Sequence, residues 1–228
     1  MVSIARLPLR LALSAALSAM LLAAAPALVP DGAAVAQNAP AARTMPPLSG
    51  EDRDAVKRVE AYLNDVQTME ARFSQIDSNN VHATGKIYLS RPGRLRFEYD
   101  PPVPVLIVAN GRQLIHYDRD LKTASYINQR DTPAWFLLSP TVEFQGDVTV
   151  TEVQRRDGKL LVSLIKTAEP NQGMVTLILD EDPMRLDQWA VADAQGIVTY
   201  VMLEEPKFGT SISAERFRFD EPVWSDRR

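Results

Sequence analysis

Arg91 falls within the run Ile87–Tyr99 (IYLSRPGRLRFEY), at a position where strand alternation calls for another apolar side chain. Ile87, Leu89 and position 91 share one face, and Lys86, Tyr88 and Ser90 share the other. After Pro92 and Gly93 the alternation resumes. Leu95, Phe97 and Tyr99 lie on one side, and Arg94, Arg96 and Glu98 lie opposite, pointing at solvent. A guanidinium is always charged and carries five donors. On an apolar face it must find carbonyl or carboxylate partners, or meet water in a cavity. Other chemistry is scarce. His116 alternates with Leu114 as a half-buried histidine would, and His82 sits beside the polar run at 77–80. No serine is spaced to either histidine as a catalytic pair, and the two histidines lack metal-ligand spacing. Asp180-Glu181-Asp182 before Pro183 lacks the spacing and glycine of a calcium loop and reads as a solvated turn. There is no phosphate-binding glycine loop. There is no cysteine, which excludes disulfides, thiolate metal sites, cysteine nucleophiles and lipid attachment to this chain. No catalytic residue, metal ligand or cofactor is expected.

The elements that must position Arg91 are mostly strands. Ser49 can cap a helix, with Asp52 as its capping-box partner, and Val56, Val59, Leu63 and Val66 then recur at helical spacing for about four turns. Strands follow at Met69–Ser74, through Ile87–Tyr99 with a kink or break at Pro92, and at Val103–Ala109, Gln113–Asp118 and Lys122–Asn128. The second half adds Val148–Arg155, Leu160–Lys166, Met174–Leu179, Gln188–Ala192 and Ile197–Glu204, with Phe217 and Phe219 in a last short strand. Asn110-Gly111 and Asp157-Gly158 are hairpin signals, and no βαβ rhythm appears. A single antiparallel meander of this kind curls into an incomplete barrel. One segment breaks the rhythm. Thr132 can cap a short helix opening at Pro133, and Trp135, Phe136, Leu137 and Leu138 make it apolar almost all round. Such a helix is either ordinary core or a plug for an apolar opening. A sheet apolar on its concave side, with one amphipathic and one greasy helix, describes a lidded hydrophobic cavity. Ile87, Leu89, Leu95, Phe97 and Tyr99 are its lining candidates, although plain core packing would also explain each.

The ends bound the setting. Arg6 and Arg10, the apolar stretch Leu11–Ala25 and Ala34-Val35-Ala36 form a secretory leader over residues 1–36. Residues 37–50 read as a disordered tether, residues 51–222 as one domain and residues 223–228 as a tail. The chain is exported to the periplasm on this reading. A net charge of −4 argues against a nucleic-acid partner.

The element order, with ARFSQ (Ala71–Gln75), GKIYLSRPGRLRFEY (Gly85–Tyr99), Pro101-Pro102, VANGRQLIHYD (Val108–Asp118) and TPAWFLLS (Thr132–Ser139), resembles the LolA family of periplasmic lipoprotein carriers over about Glu51 to Pro222. The resemblance implies a mainly β (α+β) fold. A strongly curved antiparallel sheet would form an incomplete barrel, closed by the N-terminal helix and a short lid helix. It implies a cavity for the acyl chains of lipoproteins, which are taken from an inner-membrane ABC transporter and delivered to the outer membrane or a receptor there. The carrier would be a monomer. The family's Arg-Pro motif maps onto Arg91-Pro92, which the resemblance makes a latch on lid carbonyls; the apolar residue after it maps to Leu95. The rival on the same scaffold is a periplasmic lipid-binding or lipid-sensing module that carries free lipid. A periplasmic hydrolase is opposed by the missing catalytic constellation.

Overall fold

The computed structural model describes residues 48–132 and 135–220. The leader, most of the tether, Pro133, Ala134 and the tail lie outside the described residues.

Helix α1 spans Gly50–Asp65. The Ser49 hydroxyl caps it by accepting from the Asp52 amide at 3.0 Å and donates to the Asp52 carboxylate at 2.7 Å, so two polar groups at the helix entrance satisfy each other. Ala55, Val56, Val59 and Leu63 form its buried stripe. Its last turn contains no basic residue to complement the partial negative charge of the terminal carbonyls.

Eleven strands follow: β1 Thr68–Asp77, β2 His82–Ser90, β3 Arg94–Tyr99, β4 Val105–Asn110, β5 Gln113–Asp118, β6 Thr123–Asn128, β7 Val148–Arg156, β8 Lys159–Lys166, β9 Gly173–Glu181, β10 Met184–Asp193 and β11 Val198–Phe208. They form one antiparallel sheet in the order β6-β5-β4-β3-β2-β1-β11-β10-β9-β8-β7. The expected single meander is thus two meanders stitched together where the last strand pairs with the first, Phe73 opposite Leu203. Register shifts at Glu70/Arg72, Leu186/Gln188 and Val150/Glu152 are bulges that add curvature. β6 and β7 are the two edges and do not pair, so the barrel stays open. The segment 129–147 joins those edges and holds two short 3₁₀ turns, Gln129–Asp131 and Trp135–Leu138.

Of the kink or break expected at Pro92 the structure has the break, and Ile87–Tyr99 is not one continuous strand but a hairpin, with Ser90 opposite Arg94 and Ile87 opposite Phe97. Arg91, Pro92 and Gly93 are its turn, and Gly93 takes φ +76°, open to glycine without strain. Nor do Arg94 and Arg96 face open solvent. The chain end covers that side: Phe217 is buried, the Arg94 guanidinium lies 5.6 Å from its ring, and Arg96 bonds Glu98 at 2.6 Å and the Arg218 carbonyl at 3.3 Å. Phe217 and Phe219 do not form a strand; Ala214–Phe217 is a 3₁₀ turn, and Phe219 packs on Tyr117, ring centres 5.3 Å apart. The sheet is therefore apolar on both faces around β4 and β5, where Val105 and Ile107 look inward and Leu106 and Val108 outward.

Candidate functional site: an apolar cavity

The concave face encloses a cavity of about 240 Å³. Ile87 and Leu89 from β2 and Leu95, Phe97 and Tyr99 from β3 all line it, because the hairpin register places both apolar alternations on the same side. Phe73, Phe97 and Tyr99 hold one another edge-on and stacked, and Trp189 from β10 closes on Phe97 from across the sheet, ring centres 6.5 Å apart. The end of the cavity remote from Arg91 carries polar side chains. There the Tyr99 hydroxyl donates to Gln75 at 2.9 Å, and burial pushes its pKa well above the usual tyrosine range. His116 from β5 also lines the cavity. Burial lowers its pKa, against an opposing attraction from Asp118.

Arg91 stands at the other end, only 6% exposed. Its backbone amide donates to the Gln67 carbonyl at 2.8 Å, which docks the hairpin turn beside the end of α1. Its side chain then donates in three directions. Nη1 reaches the Leu63 carbonyl, and the Val66 carbonyl at 3.3 Å; both are carbonyls that the end of the helix leaves without internal partners. Nε and Nη2 reach the Ser139 carbonyl at 3.2 and 3.1 Å. Nη2 also lies 3.4 Å from the Asn64 side-chain oxygen. Each of these acceptors is neutral. Arg91 supplies the cation that the last turn of α1 lacks, and burial lowers its pKa without an ion pair to offset it.

The segment expected to be the lid helix contains a four-residue 3₁₀ turn, Trp135–Leu138, in place of α-helix. Thr132 reaches it through its carbonyl, which accepts from the Trp135 amide at 3.2 Å. Its hydroxyl donates to the Gln129 carbonyl at 2.8 Å and so terminates the preceding turn. Leu137 and Leu138 line the cavity, Phe136 is buried edge-on against Phe144, and Trp135 packs half-buried against the core. The Gly93 amide donates to the Leu138 carbonyl at 2.8 Å, a second bond from the hairpin turn to the lid. Among the described residues no group of three His, Asp or Glu side chains could hold a metal ion.

Compared with known proteins, residues 64–220 match the profile of the outer membrane lipoprotein carrier protein LolA. The chain belongs to the LolA family. The outer-membrane lipoprotein carrier protein of Legionella pneumophila (strain Paris) is 32% identical over 176 residues, covering 74% of this chain and 86% of that protein. Its counterpart in Pseudomonas aeruginosa (strain UCBPP-PA14) is 28% identical over 185 residues, 77% of this chain and 88% of that protein. Among solved structures, a LolA superfamily protein from Nitrosomonas europaea aligns with a TM-score of 0.42 at 11% identity, covering 72% of this chain and 97% of that one.

Two residues at the heart of this LolA-family site gave no signal in the sequence. Asn64 and Glu60 look like ordinary polar positions of an amphipathic helix, yet both bond the backbone of the segment after the lid. Their partners are peptide groups, which carry no residue identity to read. Only the fold shows them.

Proposed function

We propose that this protein is an exported carrier that shields the acyl chains of lipoproteins in its cavity. It takes them from an inner-membrane ABC transporter to the outer membrane, or to a receptor there. The leader at residues 1–36 sends it to the periplasm, the tether at 37–50 links leader and domain, and the domain at 51–222 acts as a monomeric chaperone with no catalytic step. The observation that carries this reading is a buried arginine at one end of an apolar cavity whose acceptors on two separate elements are all neutral: carbonyls at the end of α1 and of Ser139, and the Asn64 side-chain oxygen. Burial of an acyl chain yields about 0.8 kcal/mol per methylene, so a chain of about sixteen carbons gains on the order of 12 kcal/mol. A carrier must also release its load. Carbonyl bonds re-formed by Arg91 in the empty protein offset part of that gain and make delivery downhill. Further support comes from the family and from relatives that are themselves named lipoprotein carriers.

The test is a thermal-shift titration with a synthetic tripalmitoylated lipopeptide, set against phosphatidylethanolamine, with native mass spectrometry to count bound lipid. At a hundredfold excess over Kd the lipopeptide stabilises by about 2.7 kcal/mol, which raises Tm by about 5–10 °C for a domain of this size. An equal shift with the phospholipid would make the protein a free-lipid carrier. No shift and no bound lipopeptide would end the carrier reading.

A further inference from the structure

The lid is fastened in two ways, and Arg91 accounts for only one. Beyond Ser139 the chain runs under the last two turns of α1, where Asn64 treats it as a neighbouring strand would. The Asn64 amide nitrogen donates to the Val142 carbonyl at 3.0 Å, and its oxygen accepts from the Val142 amide at 2.8 Å. One turn earlier, the Glu60 carboxylate accepts from the Phe144 amide at 2.5 Å. Val142 and Phe144 are buried between these bonds. Three bonds therefore tie segment 142–144 to α1 without using Arg91. Helix α1 in turn is tied to the far half of the sheet. The Tyr62 hydroxyl accepts from the Leu186 amide at 3.0 Å, and Arg58 and Arg155 bracket Glu181 at 2.8 and 3.0 Å, with Arg155 also 3.4 Å from Asp52. The hairpin turn of β2 and β3, by contrast, holds the helix and lid through Arg91, the Arg91 amide to Gln67, and the Gly93 amide to Leu138.

We infer that Asn64 is a positioning residue of the carrier: it locks the segment after the lid onto α1, so that opening separates the helix and lid as one body from the β2–β3 turn. The inference rests on the carrier reading only for what triggers the opening. When Arg91 lets go, the bonds at Asn64 and Glu60 are still made, and the lid cannot swing away from the helix by itself. Asn64 also presents its oxygen to Arg91 at 3.4 Å, so the amide that fixes the lid helps aim the latch.

The natural chain has no cysteine, so spin labels at introduced cysteines report single pairs. Lys57 on α1, Glu143 after the lid and Arg112 on the turn beside Gly93 are exposed positions for them. Distances are measured by double electron–electron resonance in three settings: the empty protein, the empty Arg91→Leu variant, and the protein with the tripalmitoylated lipopeptide. The 57–143 distance is expected to stay fixed throughout. The 57–112 and 143–112 distances are expected to lengthen together, in the Arg91→Leu variant even without lipid. Adding Asn64→Ala is expected to broaden the 57–143 distribution while leaving 57–112 as it was. A 57–143 distance that grows on opening while 57–112 holds would overturn the inference, as would no movement of any pair in Arg91→Leu. Failure of the lipopeptide alone to move the labels, with Arg91→Leu still opening, would count against the carrier reading and leave the role of Asn64 standing.

Discussion

At the scale of the residue, Arg91 and His116 line the same cavity and face different electrostatic problems. Arg91 solves its own with carbonyl dipoles at a helix end, where a cation is favoured and cannot be lost by deprotonation. Arg91→Leu leaves the carbonyls of Leu63, Val66 and Ser139 without their donor. It is expected to lower the stability of the empty protein by about 2–3 kcal/mol in urea unfolding, while lipopeptide binding persists and its release slows. Arg91→Lys is expected to recover only a small part, because one ammonium does not span carbonyls on two elements as a planar fork does. His116 is held neutral by burial, with Asp118 opposing weakly. Its folded pKa lies below the unfolded value, so the unfolded chain binds the extra proton in between. The stability is full above about pH 6.5 and falls as the pH drops toward the folded value. Unfolding free energies measured from about pH 7.5 to 5.5 should decline in the wild type, and His116→Gln should remove that part of the decline.

At the scale of the element, the β2–β3 turn does more than join two strands. Gly93 accepts from the Gly111 amide at 2.9 Å and donates to Leu138 at 2.8 Å, so two hairpin turns and the segment 135–138 meet at one residue. A Cβ on Gly93 would stand 2.8 Å from the Gly111 Cα, at a φ that side chains disfavour. Gly93→Ala is therefore expected to cost about 1–3 kcal/mol in chemical denaturation and to loosen the lid, seen as faster amide exchange at the residues after Leu138. The same turn explains how the sequence reached Arg91. Alternation marked it as a charge on an apolar strand face, whereas Pro-Gly had already ended that strand at Ser90. Two strands of matching pattern fold back on each other, and the pattern alone does not distinguish them from one continuous strand. The segment 135–138 is a similar case: its four apolar residues are plain in the sequence, but their 3₁₀ geometry is not.

At the scale of the whole molecule, the joint between β1 and β11 unites the sheet. Each half is a local meander, and only this pairing of chain ends brings Trp189 across to Phe97 and closes the cavity wall. A chain ended at Ile197 loses β11 with its buried Val201 and Leu203, and loses Phe217 as well. It is expected to show no cooperative thermal transition by circular dichroism, because β1 and β10 would then both expose an apolar edge. The amino-acid sequence by itself determined the strand content, the hairpins at Asn110-Gly111 and Asp157-Gly158, the capped helix and the apolar faces, since these depend on propensity, turn chemistry and period within a few residues. It also marked Arg91, since a charge among apolar neighbours breaks a local pattern. The tertiary structure alone decided what Arg91 touches, that the first strand pairs with the last, that the chain end covers Arg94 and Arg96, and that Asn64 bonds the backbone of Val142. Those are contacts between segments far apart in the chain, and several are made to backbone groups that are the same in every residue.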